Sequence, residues 1–344
     1  MPEYGNGGAL VNTSQNFVNA YTGEDQDFGG GYDLSPTVKQ YYQRTLLVNV
    51  ETKAVFGQHG MPQSIPEGAG TSTEWRRPNT FEDVGRLVEG VIPVGKKFGY
   101  SNITADIYEY GDYVAISKYL DRHSIDQPTN DAIKGLADAA VRTREKYFRD
   151  VLLEGTQVMY APEADGTEVT SRADLTNECL MTPDLVADVA AEFGVNGVPD
   201  TDGAVGVAIV HPYVYSDIRK SEDWVEAHKY ASPEEIYNGE IGELHGFRFV
   251  RTPLAKVFKD TSDGVGTGQA VYVTEFIGKD AYATVTPEGG NMRLIMKSAK
   301  EVGGPLEQFG TAGVWFEVAA AILYNDRLIR VESGSSYGTK AKAN

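Results

Sequence analysis

The sequence predicts an α+β protein, and three observations carry that expectation. A long amphipathic helix is expected over residues 128 to 154, where apolar residues recur at three and four. A stretch from 57 to 102, broken by glycine and proline, has the punctuation of an extended β-hairpin. The remainder alternates strand-like runs with short helices around a continuous apolar strand at 204 to 210.

Residues 1 to 34 hold no Lys or Arg and include the run Gly29, Gly30 and Gly31, so they read as an acidic, extended arm. From Ser35 to Val55 the pattern turns helical, with Pro36 at its start and Tyr41, Leu46 and Leu47 on one side. The hairpin is expected to pair TSTEWRRP (71 to 78) with GRLVEGVIP (85 to 93), followed by a strand at 103 to 117 that bulges near Gly111. A hairpin this long with so few apolar residues cannot bury itself and is expected to lean on another surface, with a further copy of the chain as one candidate and a local core covered by the Trp with its Arg partners as the alternative. Trp75, Arg76 and Arg77 on one arm, with Glu89, Lys96 and Lys97 on the returning side, are therefore candidate interface residues, because Trp and Arg are enriched at protein interfaces.

In the long helix Ile133, Leu136, Ala137, Ala140, Val141, Phe148, Val151 and Leu152 form the apolar stripe. Asp126 or Thr129 is placed to cap its start and Gly155 its end, while Lys134, Asp138 and Arg142 keep the far face solvated. At 1.5 Å per residue such a helix is roughly 40 Å long. A Gly/Asp/Thr-rich link follows, then a helix at 185 to 194, the buried strand, and a new helix opened by His211 and Pro212. Strands are expected at 247 to 252, at AVYVTEF, AYATVTP and MRLIMK, and in a closing pair hinged at Asn325 and Asp326. The polar end from Ser333 is expected to be loose.

Composition excludes more than it identifies. A net charge of −18 opposes general affinity for nucleic acid, which requires clustered cations. One cysteine, Cys179, rules out a disulfide framework and a thiolate zinc cage. The start has no basic and apolar leader and no run is long enough to span a bilayer, so a cytosol-like compartment is expected. His211, His228 and His245 recur every 17 residues among carboxylates. Helical metal ligands need a spacing of about four, so these histidines are expected to be structural, and a metal-dependent hydrolase centred on His211, His228 and Glu243 is the alternative reading. No GxSxG and no phosphate loop ending in Gly-Lys-Ser/Thr occurs, and no cofactor is expected.

The order of these parts resembles the major capsid proteins of tailed bacteriophages, most closely the coat-protein group of the large podophage whose virion carries its own RNA polymerase. The matching pieces are TEWRRP, LVEGVIPVGKK, ITADIYEYGDYVAISKYLD, RDVLLEGTQVMYA, VAIVHPYVYSDIR, WVEAHKYASPEEIYNGEIGELHGFRFVRT, GKDAYATV and VAAAILYNDRLIRVE, spanning roughly 33 to 333. One departure is Trp315, Phe316 and Glu317 where the family usually carries Trp-Lys.

The resemblance implies an N-terminal arm (1 to 34), an E-loop hairpin (57 to 102) and a peripheral domain (35 to 56 and 103 to 175) with a spine helix at 128 to 154. It also implies an axial domain (176 to 265), peripheral and connecting strands (266 to 333) and a flexible tail (334 to 344). Trp224, His228 and Tyr237 join the interface candidates as the part of the axial domain nearest its capsomer neighbours. The implied function is non-enzymatic: hexamers and pentamers closing an icosahedral shell around double-stranded DNA. The implied partners are further copies, a portal, and scaffolding or decoration proteins, with no membrane and no sequence-specific DNA contact. The implied location is the virion, after assembly in the host cytoplasm.

Overall fold

The computed structural model describes residues 54–66, 68, 70–79, 81, 83–86, 89–90, 92, 95–119, 128–200, 203–221, 243–297, 299–302 and 306–344, with 17–18 and 25–26. Along the chain, β1 (Met61–Ile65), β2 (Ser72–Pro78), β3 (Tyr100–Asp106) and β4 (Tyr108–Ser117) precede helix α1 (Pro128–Leu152). Next come β5 (Val158–Tyr160), α2 (Pro183–Val195), β6 (Gly206–Val210), α3 (Pro212–Lys220), β7 (Glu243–Leu244), β8 (Phe247–Arg251), β9 (Val257–Phe258) and β10 (Val271–Ile277). The chain closes with β11 (Tyr282–Pro287), β12 (Arg293–Lys297), the short helix α4 (Ala299–Val302), β13 (Phe309–Ile322) and β14 (Leu328–Ser333).

These elements form two compact units, one of Met1–Gln58, Glu109–Tyr147 and Gly289–Val318, the other of His59–Tyr108, Phe148–Glu288 and Ala319–Asn344. In the first, β13 pairs with β4 and, antiparallel, with β12, from Arg293 opposite Trp315 to Lys297 opposite Thr311. Period-two alternation buries Leu294, Ala312, Val314 and Phe316 on one face and leaves Ile295 exposed on the other. Tyr110 of β4 stacks on Phe316 at 5.6 Å and meets Tyr147 of α1 edge-on at 6.2 Å. The helix stripe is laid out as its spacing requires: Ile133, Leu136, Ala137, Ala140 and Val141 are buried, and Lys134, Asp138 and Arg142 are exposed. Glu145 breaks the apolar rule inside this helix. Its fully buried carboxylate accepts the backbone N–H groups of Val55 and Phe56, both at 2.7 Å, and of Gly57 at 3.3 Å, which satisfies the charge with three donors.

The second unit is built on a seven-stranded mixed sheet in the order β5-β14-β10-β6-β8-β7, with β9 added to β10. Every residue of β10 is buried, so the sheet is covered on both faces there. Its main core gathers Phe193 of α2, Val214 and Ile218 of α3, and Phe247, Phe249 and Phe276 from the strands. Phe247 meets Phe276 edge-to-face at 4.8 Å and Phe193 at 5.2 Å. Gly206 opens β6 because a Cβ there would lie 2.4 Å from the Ile277 carbonyl oxygen. A smaller core of Ile65, Ala105, Val285, Ala319 and Ala321 forms where β11 pairs with β1 and with the C-terminal end of β13.

Three expectations require correction. The partner of 72–78 is β3, not 85 to 93: Thr73 faces Ala105 and Trp75 faces Ile103, a register that brings the inward residues of both strands together over the smaller core. The returning arm thus runs to Asp106, beyond the expected hairpin end at 102. The strand at 103 to 117 is two strands, because the chain changes sheets at Ile107, where β3 leaves β2 and β4 joins β13; Gly111 lies within β4 and admits the close approach of the Val314 carbonyl. The strands β10 and β14 lie inside the sheet that contains β6, where their buried faces complete the main core. Residues 334–344 are docked instead of loose. Asp217, buried on α3, accepts from Ser335 Oγ at 2.7 Å, the Ser336 N–H at 2.9 Å and Ser336 Oγ, and Tyr337 stacks on Tyr213 at 4.5 Å.

Candidate self-assembly surfaces

The hairpin of β2 and β3 divides into a packed base and an exposed end. At the base, Trp75 is half-buried against the smaller core and its indole N–H donates to Gln63. Arg77 reaches the Leu323 carbonyl at 3.3 Å and lies 5.4 Å over the Tyr324 ring. Arg76 points into solvent, 72% exposed, with Glu74 3.4 Å away. Further out, Phe81, Phe98 and Tyr100 make an exposed aromatic ladder: Phe81 and Phe98 stack at 5.6 Å and Phe98 meets Tyr100 edge-on at 4.7 Å. Val84 and Ile92 are 93% and 92% exposed. Glu89 and Lys97 are exposed beside them, and Lys96 donates to the Asp83 carbonyl at 2.9 Å. The aromatic ladder, with Val84 and Ile92 also in water, marks an end of the hairpin suited to being covered.

The histidine constellation disperses on inspection of its described members. His211 ends β6 and caps α3, with Nδ1 accepting the Tyr213 N–H at 3.2 Å. Its ring packs 5.1 Å from both Tyr213 and Tyr272, and burial pushes its pKa down to about 4. A ring committed at Nδ1 and held neutral by burial is a helix cap. Glu243 lies exposed on β7 and His245 holds a positive φ of 49° in the β7–β8 turn. Trp224, His228 and Tyr237 lie outside the described residues.

Residues that reading the sequence missed include Phe81, Phe98 and Tyr100, whose spacing of 17 and two carries no periodic signal until the register of β2 and β3 brings them together. Asp217 was equally silent, since its contacts with Ser335 and Ser336 span 118 and 119 residues of sequence. Trp315 stands on the exposed side of β13 with the Arg293 guanidinium 4.3 Å over its ring and its indole donating to Glu109. That pairing follows only from the β12–β13 register.

No family model matches the chain and no curated protein matches it. Solved structures do. The capsid of Ralstonia phage GP4 is 15% identical with a TM-score of 0.62, covering 83% of this chain and 92% of its own. The capsid of cyanophage Pam1 is 12% identical with a TM-score of 0.60 over 93% and 99%, and that of Helicobacter pylori bacteriophage KHP30 is 10% identical with a TM-score of 0.59 over 96% and 99%. The fold is the capsid fold of tailed bacteriophages.

Proposed function

We propose that the chain is a major capsid protein whose copies assemble into hexamers and pentamers and close an icosahedral shell around phage double-stranded DNA. The observation that carries this reading is the exposed aromatic end of a hairpin on a capsid fold: a surface that one copy cannot cover is what a shell subunit requires of its neighbours. The acidic balance fits the same role, since a negative wall keeps densely packed DNA from adsorbing. The peripheral and axial assignments, the place of Trp75, Arg76, Arg77, Glu89, Lys96, Lys97, Trp224, His228 and Tyr237 in contacts between copies, and the likeness to the coat proteins of the podophage group belong to this proposal. So do partnership with portal, scaffolding or decoration proteins, the absence of enzymatic activity, location in the virion, and assembly in the host cytoplasm.

Trp75 and Arg77 hold the hairpin base to its own subunit, so Arg76 is the better probe of contact between copies. Electron microscopy of the expressed full chain, alone and with its neighbouring genes' products, should display closed shells. An Arg76→Glu chain should keep its fold and lose closed shells. A chain that stays a small oligomer under every condition overturns the reading.

A further inference from the structure

In a chain of net charge −18, residues 334–344 gather lysines from three segments. Lys220 of α3 lies 4.6 Å over the Tyr337 ring and donates to its hydroxyl at 3.3 Å, and Lys340 lies 5.5 Å from the same ring. Lys259 donates at 2.5 Å to the Thr339 carbonyl, and Lys342 is exposed two residues on. Asp217 lies 3.6 Å from Lys220 Nζ and offsets that charge in part, but it is buried and also accepts from Ser335 and Ser336, and no ion pair among the described residues reaches Lys259, Lys340 or Lys342.

The same unit carries the opposite feature. On α2, Asp184, Asp188 and Glu192 are exposed at four-residue steps while Leu185, Val189 and Phe193 face the core. Like charges at that spacing repel, and Glu192 sits at the negative end of the helix, where a carboxylate is disfavoured. The helix has no Lys or Arg of its own, and among the described residues no ion pair reaches any of the three.

We propose that the lysine cluster held by residues 334–344 receives the acidic stripe of α2 from a second copy of this chain, a head-to-tail contact of the kind that closes rings. The proposal rests on the self-assembly reading above and adds the surfaces that would meet. Charge complementarity argues for a second copy, because association between strongly acidic subunits is opposed by their net charge unless the contact joins unlike patches. The two surfaces are distinct, so repetition of the contact propagates around a ring instead of ending at a dimer.

The test uses two full-length variants whose substitutions lie on exposed residues, K340E/K342E and D188K/E192K, with circular dichroism and melting as folding controls. The wild-type chain should sediment as large assemblies, and each variant alone should lose at least tenfold of that material. An equimolar mixture should recover it, because every junction between unlike variants again joins opposite charges. Wild-type assembly by either variant alone, or no recovery on mixing, overturns the pairing while leaving the capsid reading intact. Loss of duplex-DNA binding in K340E/K342E with assembly unchanged makes nucleic acid the partner and also overturns it. A wild-type chain that never assembles sinks the capsid reading together with the inference.

Discussion

The seven-stranded sheet and the β2–β3 hairpin lie in one unit and solve opposite problems. In the sheet, β10 is buried along its whole length, its Phe276 meets Phe247 of β8 edge-to-face, and Phe247 in turn meets Phe193 of α2 edge-to-face. In the hairpin, only the base packs, and Phe81, Phe98, Val84 and Ile92 remain in water. A residue in the sheet is therefore held by the folding of its own chain, whereas one at the hairpin's end contributes little until another surface covers it. The difference predicts where a substitution will be read: in the melting of the subunit for the first region, in association for the second.

The largest effect is expected at Phe276. Truncation to Ala removes a fully buried ring from contact with Phe247 and Phe249, and such changes cost about 3–5 kcal/mol. Denaturant unfolding of the purified subunit measures it; a loss below about 1 kcal/mol would mean that the sheet is not the stabilising core.

One residue before it, Glu275 sharpens the comparison, because burial pushes its pKa up to about 8 despite the opposing fields of Arg149 and Arg330. Neither carboxyl oxygen has a hydrogen-bond partner among the described residues: Arg149 is occupied by Asp150 and the Leu254 carbonyl, and Arg330 by Glu332 and the Leu153 carbonyl. The folded state keeps the proton between about pH 4.5 and 8 while the unfolded state releases it, so stability falls as pH rises through that window. Glu275→Gln should flatten that slope and stabilise the subunit by about 1–3 kcal/mol at pH 7.5, with little gain at pH 5. Parallel pH profiles for the two proteins would sink the assignment.

The same contrast explains what was legible in the sequence. The stripe of α1, the β6 strand and the His211-Pro212 start of α3 are local patterns, fixed by helical period, continuous apolarity and the φ of proline, and each could be read without its neighbours. The hairpin's register was not local. A strand at 85 to 93 and one at 100 to 106 offer similar alternation, and the choice is made by the smaller core, which takes Ala105 and Ile103. The docking of residues 334–344 was hidden for another reason: a polar, glycine-bearing end reads as loose unless one knows that Asp217 presents a buried carboxylate needing donors. The fold was legible in the order of the segments, whereas the surface pairs described above depend on long-range pairing.

The smallest effect on the subunit is expected at the hairpin's end. Phe98 touches Phe81 and Tyr100 and is itself 54% exposed, so its removal costs only a local aromatic contact outside the buried cores. Phe98→Ser should change the unfolding free energy by less than about 0.5 kcal/mol. It should also lower the binding of a hydrophobic dye, since the exposed aromatic ladder is a principal apolar surface among the described residues of the hairpin. On the self-assembly reading, the same substitution weakens association at unchanged subunit stability. Loss of more than about 1.5 kcal/mol would place Phe98 in the folding core and remove the distinction between the two regions; unchanged association would leave the distinction standing and move the contact between copies away from the aromatic ladder.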